Sequence, residues 1–281
     1  QYSCFPNGSG GIVDDLLVYR KSESDYILVV NAGNKEKDWY WINQKAEEKR
    51  FDVSLEDQSD SWSLIALQGP NSADKLRPIL DQASKSAADL KYYTFEEATI
   101  QGHKCIISAT GYTGSGGFEI YMPNNAASEI WTSLINNYVV PCGLGARDTL
   151  RMEMGFCLYG NDIDESTNPI EAGLGWITKF NKDFIDKDRL QKIKSDGPYR
   201  KLVGLKIHDR GIPRKGYKVV TQEGNVIGQI TSGTMSPTLG MGIGMAYLER
   251  DYSNKGTPVF VQIRNKKIAA VVVGFPFLNL A

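Results

Sequence analysis

The chain has 281 residues, 41% of them hydrophobic and 23% charged, with 32 basic residues against 33 acidic ones and a formal charge of −1. That balance excludes a strongly basic nucleic-acid binder or a protein drawn electrostatically to an anionic membrane, and the length predicts two or three domains. The four cysteines, Cys4, Cys105, Cys142 and Cys157, are widely spaced without a C-x-x-C pair, and His103 and His208 are the only imidazoles. A zinc site or disulfide framework is therefore not expected, and reduced thiols in a cytoplasmic setting fit best. No apolar run approaches the ~20 residues needed to span a bilayer.

Tyr2-Ser3-Cys4-Phe5 reads as a strand entering the turn Pro6-Asn7-Gly8-Ser9-Gly10, as if begun by an upstream element. Gly11 then opens Ile12-Val13-Asp14-Asp15-Leu16-Leu17-Val18-Tyr19, an apolar strand interrupted by two carboxylates. Alternation puts Asp14 with Ile12, Leu16 and Val18, and Asp15 with Val13, Leu17 and Tyr19, so the two cannot form a dyad and one of them faces inward alone. Such a residue serves turn amides or is a solitary catalytic or ligand-binding carboxylate; the pattern leaves both open.

Tyr26 to Val30 completes a hairpin ending at Asn31-Ala32-Gly33-Asn34. Trp39, Ile42 and Ala46 recur at helical steps, predicting a helix from Lys35 to Glu48 with Asn34 as N-cap. Phe51 to Leu55 is read as the next strand. A second α+β unit follows. It comprises a strand Trp62 to Leu67, a helix from Ser72 into Leu76 to Leu80, strands at Ala98 to Ile100, Lys104 to Ala109 and Phe118 to Met122, and a helix Ala126 to Val139. Gly143 to Asp148 leads into a helix reaching Phe156, and Tyr159 to Pro169 reads as a surface excursion. From Leu202 onward six strand signals alternate with Gly/Pro turns, predicting a β-barrel or sandwich.

Three features could carry chemistry. Gly111-Tyr112-Thr113-Gly114, followed by Gly116-Gly117-Phe118-Glu119, sets a tyrosine at a tight turn and a carboxylate on the departing strand, where glycines allow close backbone approach to a ligand. It matches neither phosphate-binding glycine pattern. Arg147 and Arg151 stand one helical turn apart in apolar company, and a buried arginine needs a carboxylate from protein or ligand. The third is the Asp14-Asp15 pair.

The ordered succession Gly-Gly-Ile-Val-Asp-Asp-Leu-Leu-Val, Asn31-Ala32-Gly33-Asn34-x-x-Lys37-Asp38, Leu67-Gln68-Gly69-Pro70, Gly111-Tyr112-Thr113-Gly114 with Gly117-Phe118-Glu119, Gly143-Leu144-Gly145-Ala146-Arg147-Asp148, Tyr159-Gly160-x-Asp162-Ile163, Thr167-Asn168-Pro169, Ile230-Thr231-Ser232-Gly233 and Ser236-Pro237-Thr238-Leu239-Gly240 closely resembles the glycine cleavage system T-protein, or aminomethyltransferase, family. The resemblance covers essentially the whole chain. It implies an α+β, multi-domain cloverleaf around a central folate cavity, with two α+β units and a C-terminal all-β barrel. The boundaries it suggests are 1–58 (α+β, the remainder of the second family domain), 59–166 (α+β, folate-binding, the C-terminal part of the first) and 167–281 (barrel).

The resemblance further implies transfer of a one-carbon unit from the aminomethylated lipoyl arm of the H-protein to tetrahydrofolate, a co-substrate, with release of ammonia. No metal, nucleic acid or membrane partner is implied, and the setting is cytoplasmic, or the mitochondrial matrix in a eukaryote. The family's catalytic carboxylate falls on Asp15. Glu119 would accept hydrogen bonds from the pterin, Tyr112 would pack beside the ring, Arg147 would anchor the folate, and Tyr2, Leu17, Tyr19 and Asn31 match lining positions; Trp176 reads equally as core. Against the family pattern, an N-terminal segment ahead of Tyr2 is expected and missing, and Pro276 to Ala281 ends without the family's aromatic-plus-basic tail.

Two other readings share the fold. One is a folate-dependent demethylase or methyl-transfer relative, such as the folate domain of dimethylglycine or sarcosine dehydrogenases or a sulfonium demethylase. The other is a non-enzymatic folate-binding factor for iron–sulfur assembly, disfavoured because Lys182-Asp183-Phe184-Ile185 lacks the motif's cysteine. Arg210, Arg214 and Lys215 read either as a solvated loop or as a surface for an acidic partner.

Overall fold

A computed structural model describes residues 1–278, so Asn279, Leu280 and Ala281 of the expected C-terminal departure lie outside the described residues. The chain divides into two compact units, one of residues 1–38 with 151–281 and one of residues 39–150.

In the first unit, β1 (Tyr2–Pro6), β2 (Ile12–Arg20) and β3 (Tyr26–Val29) form an antiparallel sheet with β2 in the middle. Cys4 pairs with Asp15, Phe5 with Asp14 and Leu17 with Val29, so the Asp-Asp stretch lies in the central strand as alternation requires. The hairpin continues through a 3-10 turn at Ala32–Asn34 into helix α1 (Lys35–Lys49). Asn34 immediately precedes this helix, and its side-chain amide donates to Asp14 Oδ1 at 2.9 Å.

The C-terminal strands β8 (Arg200–Ile207), β9 (Lys218–Val220), β10 (Val226–Ser236), β11 (Met241–Glu249), β12 (Pro258–Ile263) and β13 (Lys266–Val273) close into a barrel in the order β10-β11-β8-β13-β12-β9, resolving the barrel-or-sandwich alternative. Val203, Leu205, Ala246 and Leu248 fill the interior with Val259, Val261 and Val272. The intervening residues of β8 and β11, Leu202, Ile243, Met245 and Tyr247, point the other way and pack with Ile12, Met152, Cys157 and Ile163. Burial on both faces is why these strands read as nearly continuous apolar runs. Helix α5 (Lys187–Asp196), preceding the barrel, was not anticipated from the sequence; Leu190 is its buried residue, too thin an apolar stripe to give a helical signal.

In the second unit, β4 (Trp62–Gln68), β7 (Gly117–Pro123), β6 (His103–Ser108) and β5 (Phe95–Ile100) form an antiparallel sheet in that order. Its core joins Leu67, Ile100, Ile107, Ile120 and Met122 to Leu76 of α2 (Ser72–Leu76) and to Ile130 and Leu134 of α3 (Ala127–Asn136). The expected strand at Phe51 to Leu55 is absent. Those residues belong to no strand: the Phe51 N–H donates back to the Ala46 carbonyl at 3.0 Å and the Val53 N–H to the Phe51 carbonyl at 3.1 Å, and Phe51 and Val53 are more than half exposed. Alternating apolar residues make a strand only where a neighbouring strand takes up their backbone hydrogen bonds.

Helix α4 (Leu144–Met154) separates its two arginines. Arg151 is 1% exposed, whereas Arg147 lies on the exposed part of the helix, so the shared face expected from their spacing does not give them a shared environment.

Candidate active site

Strand β2 presents its two aspartates to opposite sides, with different surroundings. Asp14 is fully buried. Its Oδ1 accepts from the side-chain amides of Asn31 and Asn34, each at 2.9 Å. Asp15 is half-buried. Its Oδ2 accepts from the Tyr2 hydroxyl at 2.8 Å, across the β1–β2 ladder, and its Oδ1 accepts from Asn31 Nδ2 at 2.9 Å. Asn31 Nδ2 also reaches the Asp15 carbonyl at 3.1 Å. One asparagine thus ties the two carboxylates and the intervening backbone together.

Burial pushes the Asp15 carboxyl above the usual range and Asp14 pushes it further, while hydrogen bonds from Tyr2 and Asn31 pull it back. The Tyr2 hydroxyl is raised in turn, chiefly by burial and then by Asp15, so Tyr2 stays a neutral donor. Its ring stacks on Trp176 with centroids 6.2 Å apart. Trp176 itself is 60% exposed, so it is not a core residue. Tyr19 is buried on the same strand, and Leu17 is half-buried opposite Tyr2. The structure therefore gathers Asp15, Tyr2, Leu17 and Asn31 in one neighbourhood.

The second unit carries the other sequence-predicted residues. Glu119 sits on β7 between Ala66 of β4 and Ser108 of β6, and is 8% exposed. Its Oε2 accepts a short hydrogen bond from Thr110 Oγ1 and a longer one, 3.4 Å, from the Tyr121 hydroxyl; Thr110 Oγ1 is in turn 2.9 Å from Ser108 Oγ. Hydroxyls on one oxygen fix the carboxylate plane without an ion pair through that atom. Such a group is a matching acceptor for paired N–H donors of a heterocycle. Tyr112 and Arg147, from separate motifs, come together: the guanidinium carbon lies 4.7 Å from the ring centroid, a cation–π contact.

Several quoted motifs turn out to brace the first unit. Arg151 Nη1 donates to Asp162 Oδ2 at 2.7 Å and its Nη2 to Ser232 Oγ at 2.9 Å, while Ser232 Oγ reaches Asp162 Oδ2 at 2.9 Å. A bulge in β10 between Ile230 and Ser232 lets Thr231 reach Asp162 Oδ1 as well. Glu153 is likewise held by Ser236 and Thr238. Asp38 and Thr110 drew no role from sequence and Asn34 only that of an N-cap; their place in the quoted motifs or beside them is the one signal that marks them. In the basic stretch, Lys215 Nζ donates to the Gly160 carbonyl and to Asn161 Oδ1, and Arg214 to the Gly233 carbonyl, so both are engaged within the chain. Among the described residues no group of three or more His, Cys, Asp or Glu is placed to hold a metal ion, and no helix is long and apolar enough to cross a membrane.

The closed C-terminal barrel and the α+β elements, with carboxylates held by hydroxyl and amide donors, define a mixed α/β protein whose buried acceptors suit a polar, hydrogen-bonding partner. The family models that match are the GCVT N-terminal domain, over residues 1–182, and the glycine cleavage T-protein C-terminal barrel domain, over residues 200–279. The chain belongs to the glycine cleavage T-protein family. It is 52% identical over 285 residues to an aminomethyltransferase of Bacteroides fragilis, covering 99% of this chain and 77% of that protein. To an aminomethyltransferase of Flavobacterium psychrophilum it is 48% identical over 282 residues, with the same coverage. Among solved structures, the glycine cleavage system aminomethyltransferase T of Bartonella henselae superimposes with a TM-score of 0.88 at 35% identity, over 99% of this chain and 75% of that one.

Proposed function

We propose that the chain is an aminomethyltransferase that moves the one-carbon unit from the aminomethylated lipoyl arm of an H-protein to tetrahydrofolate, releasing ammonia. Family membership supports the reaction class. The observation that carries the assignment of roles is the setting of Asp15, a half-buried carboxylate fixed by Tyr2 and Asn31 and shifted upward by burial and by Asp14. A carboxyl so held and shifted upward is suited to accept and return a proton, the requirement for general acid–base assistance at a folate nitrogen. Tyr2 and Asn31 keep its two oxygens in fixed directions, so its contribution is largely positional.

Glu119 fits the pterin edge of tetrahydrofolate: it is buried, its Oε2 is held by neutral hydroxyls, and it has the acceptor chemistry that paired N–H groups require. Tyr112 and Arg147 supply an aromatic face and a cation in contact with it, suited to a ring and to an anionic tail.

The test is to mix the protein with aminomethylated H-protein and tetrahydrofolate and to follow ammonia and methylene-tetrahydrofolate together. Both products are expected to appear in step, and D15N is expected to lower the rate by about 100-fold or more while the protein remains folded. Folate binding without either product would overturn the transferase reading.

A further inference from the structure

Asp38 stands out in the structure. It is the one buried residue of α1, fully enclosed in the first turn of a helix whose other side chains are half-buried or exposed. No N–H or O–H donor of another described residue reaches Asp38 Oδ1, Asp38 Oδ2 or Asp14 Oδ2. Asp38 follows Asn34 by one helical turn, and Asn34 donates to Asp14 Oδ1, so this face of the helix turns the Asp38 carboxyl toward Asp14, which is among the groups that raise it. Burying two neighbouring carboxylate charges with no donor on three of their four oxygens is costly, and a proton held between them removes that cost. Asp14 already accepts two amide donors on Oδ1, which leaves Asp38 as the partner that carries the proton toward Asp14 Oδ2.

We infer that Asp14 and Asp38 share one proton and together act as a positioning element, fixing the Asn31 amide and through it the Asp15 carboxyl. This rests on the functional reading above for Asp15 and extends it to residues that make no contact with the reacting groups. The chain of contacts runs outward from the core: Asp38 to Asp14, Asp14 Oδ1 to Asn31 Nδ2, and Asn31 Nδ2 to Asp15 Oδ1. Loss of the shared proton sets two charges against each other beneath Asn31 and frees the atom that orients Asp15.

The groups facing the pair are few. From β2 come Asp14 and Asp15, which both raise the Asp38 carboxyl; burial is the larger cause, and together they push it up to about 8. From α1, Lys37 acts in the opposite sense. Its ammonium is committed to the Val13 carbonyl at 2.5 Å and the Tyr159 hydroxyl at 2.8 Å. From the segment after α4, Tyr159 is itself raised, first by burial and then by Glu165, Asp14, Asp164 and Asp38, and so stays neutral. Cys4 on β1 is raised by burial, then by Asp15 and Asp14.

The test begins on the full chain without substrates, by carbon NMR of the aspartate carboxyls and nitrogen NMR of the asparagine side-chain amides. One carboxyl is expected to titrate near pH 8, to vanish in D38N, and to carry the Asn31 amide resonances with the same midpoint. If every aspartate titrates below about pH 6, or if the Asn31 amide does not respond, the inference falls. Kinetics supply the second arm. The rate of aminomethyl transfer should fall about tenfold per pH unit above the midpoint. D38A should lower it about tenfold or more at pH 7. D38N, which offers Asp14 a permanent donor, should restore most of that loss and abolish the alkaline fall. An unchanged alkaline limb in D38N overturns the positioning role. A wild-type protein without transfer activity would overturn the functional reading instead, while the spectra still decide the shared proton and its coupling to Asn31.

Discussion

The Tyr2 hydroxyl donates to Asp15 Oδ2 at 2.8 Å across the β1–β2 ladder. Asp15 thereby receives a neutral donor from a neighbouring strand, in a register set by the pairing of Cys4 with Asp15, and that donor opposes the upward push of burial on the carboxyl.

Y2F should displace the pH dependence of transfer in a definite direction. The hydroxyl stabilises the charged form of Asp15, so its removal raises the Asp15 pKa further. If the charged form is the active base, the acidic limb of kcat/KM moves to higher pH, by about one unit for a hydrogen bond to a charged group. Steady-state rates from pH 5 to 8 read this out; a limb that stays in place or moves to lower pH contradicts the arrangement.

Glu119 should govern folate affinity more than turnover. E119Q replaces one acceptor oxygen with a donor and removes the charge, weakening tetrahydrofolate binding by about 10- to 100-fold. T110V, which takes the hydroxyl from Oε2, should weaken it less, because Tyr121 still reaches that oxygen. Calorimetric titration of the folded variants measures both, and affinity within twofold of wild type in E119Q would remove Glu119 from the site.

The buried pair of Arg151 and Asp162 should matter for stability. Both side chains are essentially excluded from solvent, and Ser232 and Thr231 complete the network. R151M leaves a buried carboxylate without its cation and should cost about 3–5 kcal/mol in urea unfolding. Coupling R151M with D162L should recover part of that loss, since neither charge is then left alone. Equal midpoints for R151M and wild type would mean that the network is not buried as described.

The amino-acid sequence alone determined the alternation of β2, the apolar runs of the barrel strands and the helical steps of α1 and α3, because side-chain periodicity is a local property of each element. It also placed Asp15, Glu119 and Arg147 in motifs. It did not determine partners. Phe51 to Leu55 alternates like a strand yet finds no neighbour, α5 forms on a single buried leucine, and Arg151 rather than Arg147 is enclosed with a carboxylate. Asp14 and Asp15 were correctly kept from forming a dyad, since adjacent strand residues face opposite ways. Only the tertiary structure gave Asp14 an acid partner, by bringing the first turn of α1 back against β2 through Lys37 and its bonds to Val13 and Tyr159. Burial, and with it the energy that shifts a proton, depends on what the rest of the chain lays over a residue, and that is not a property of local sequence.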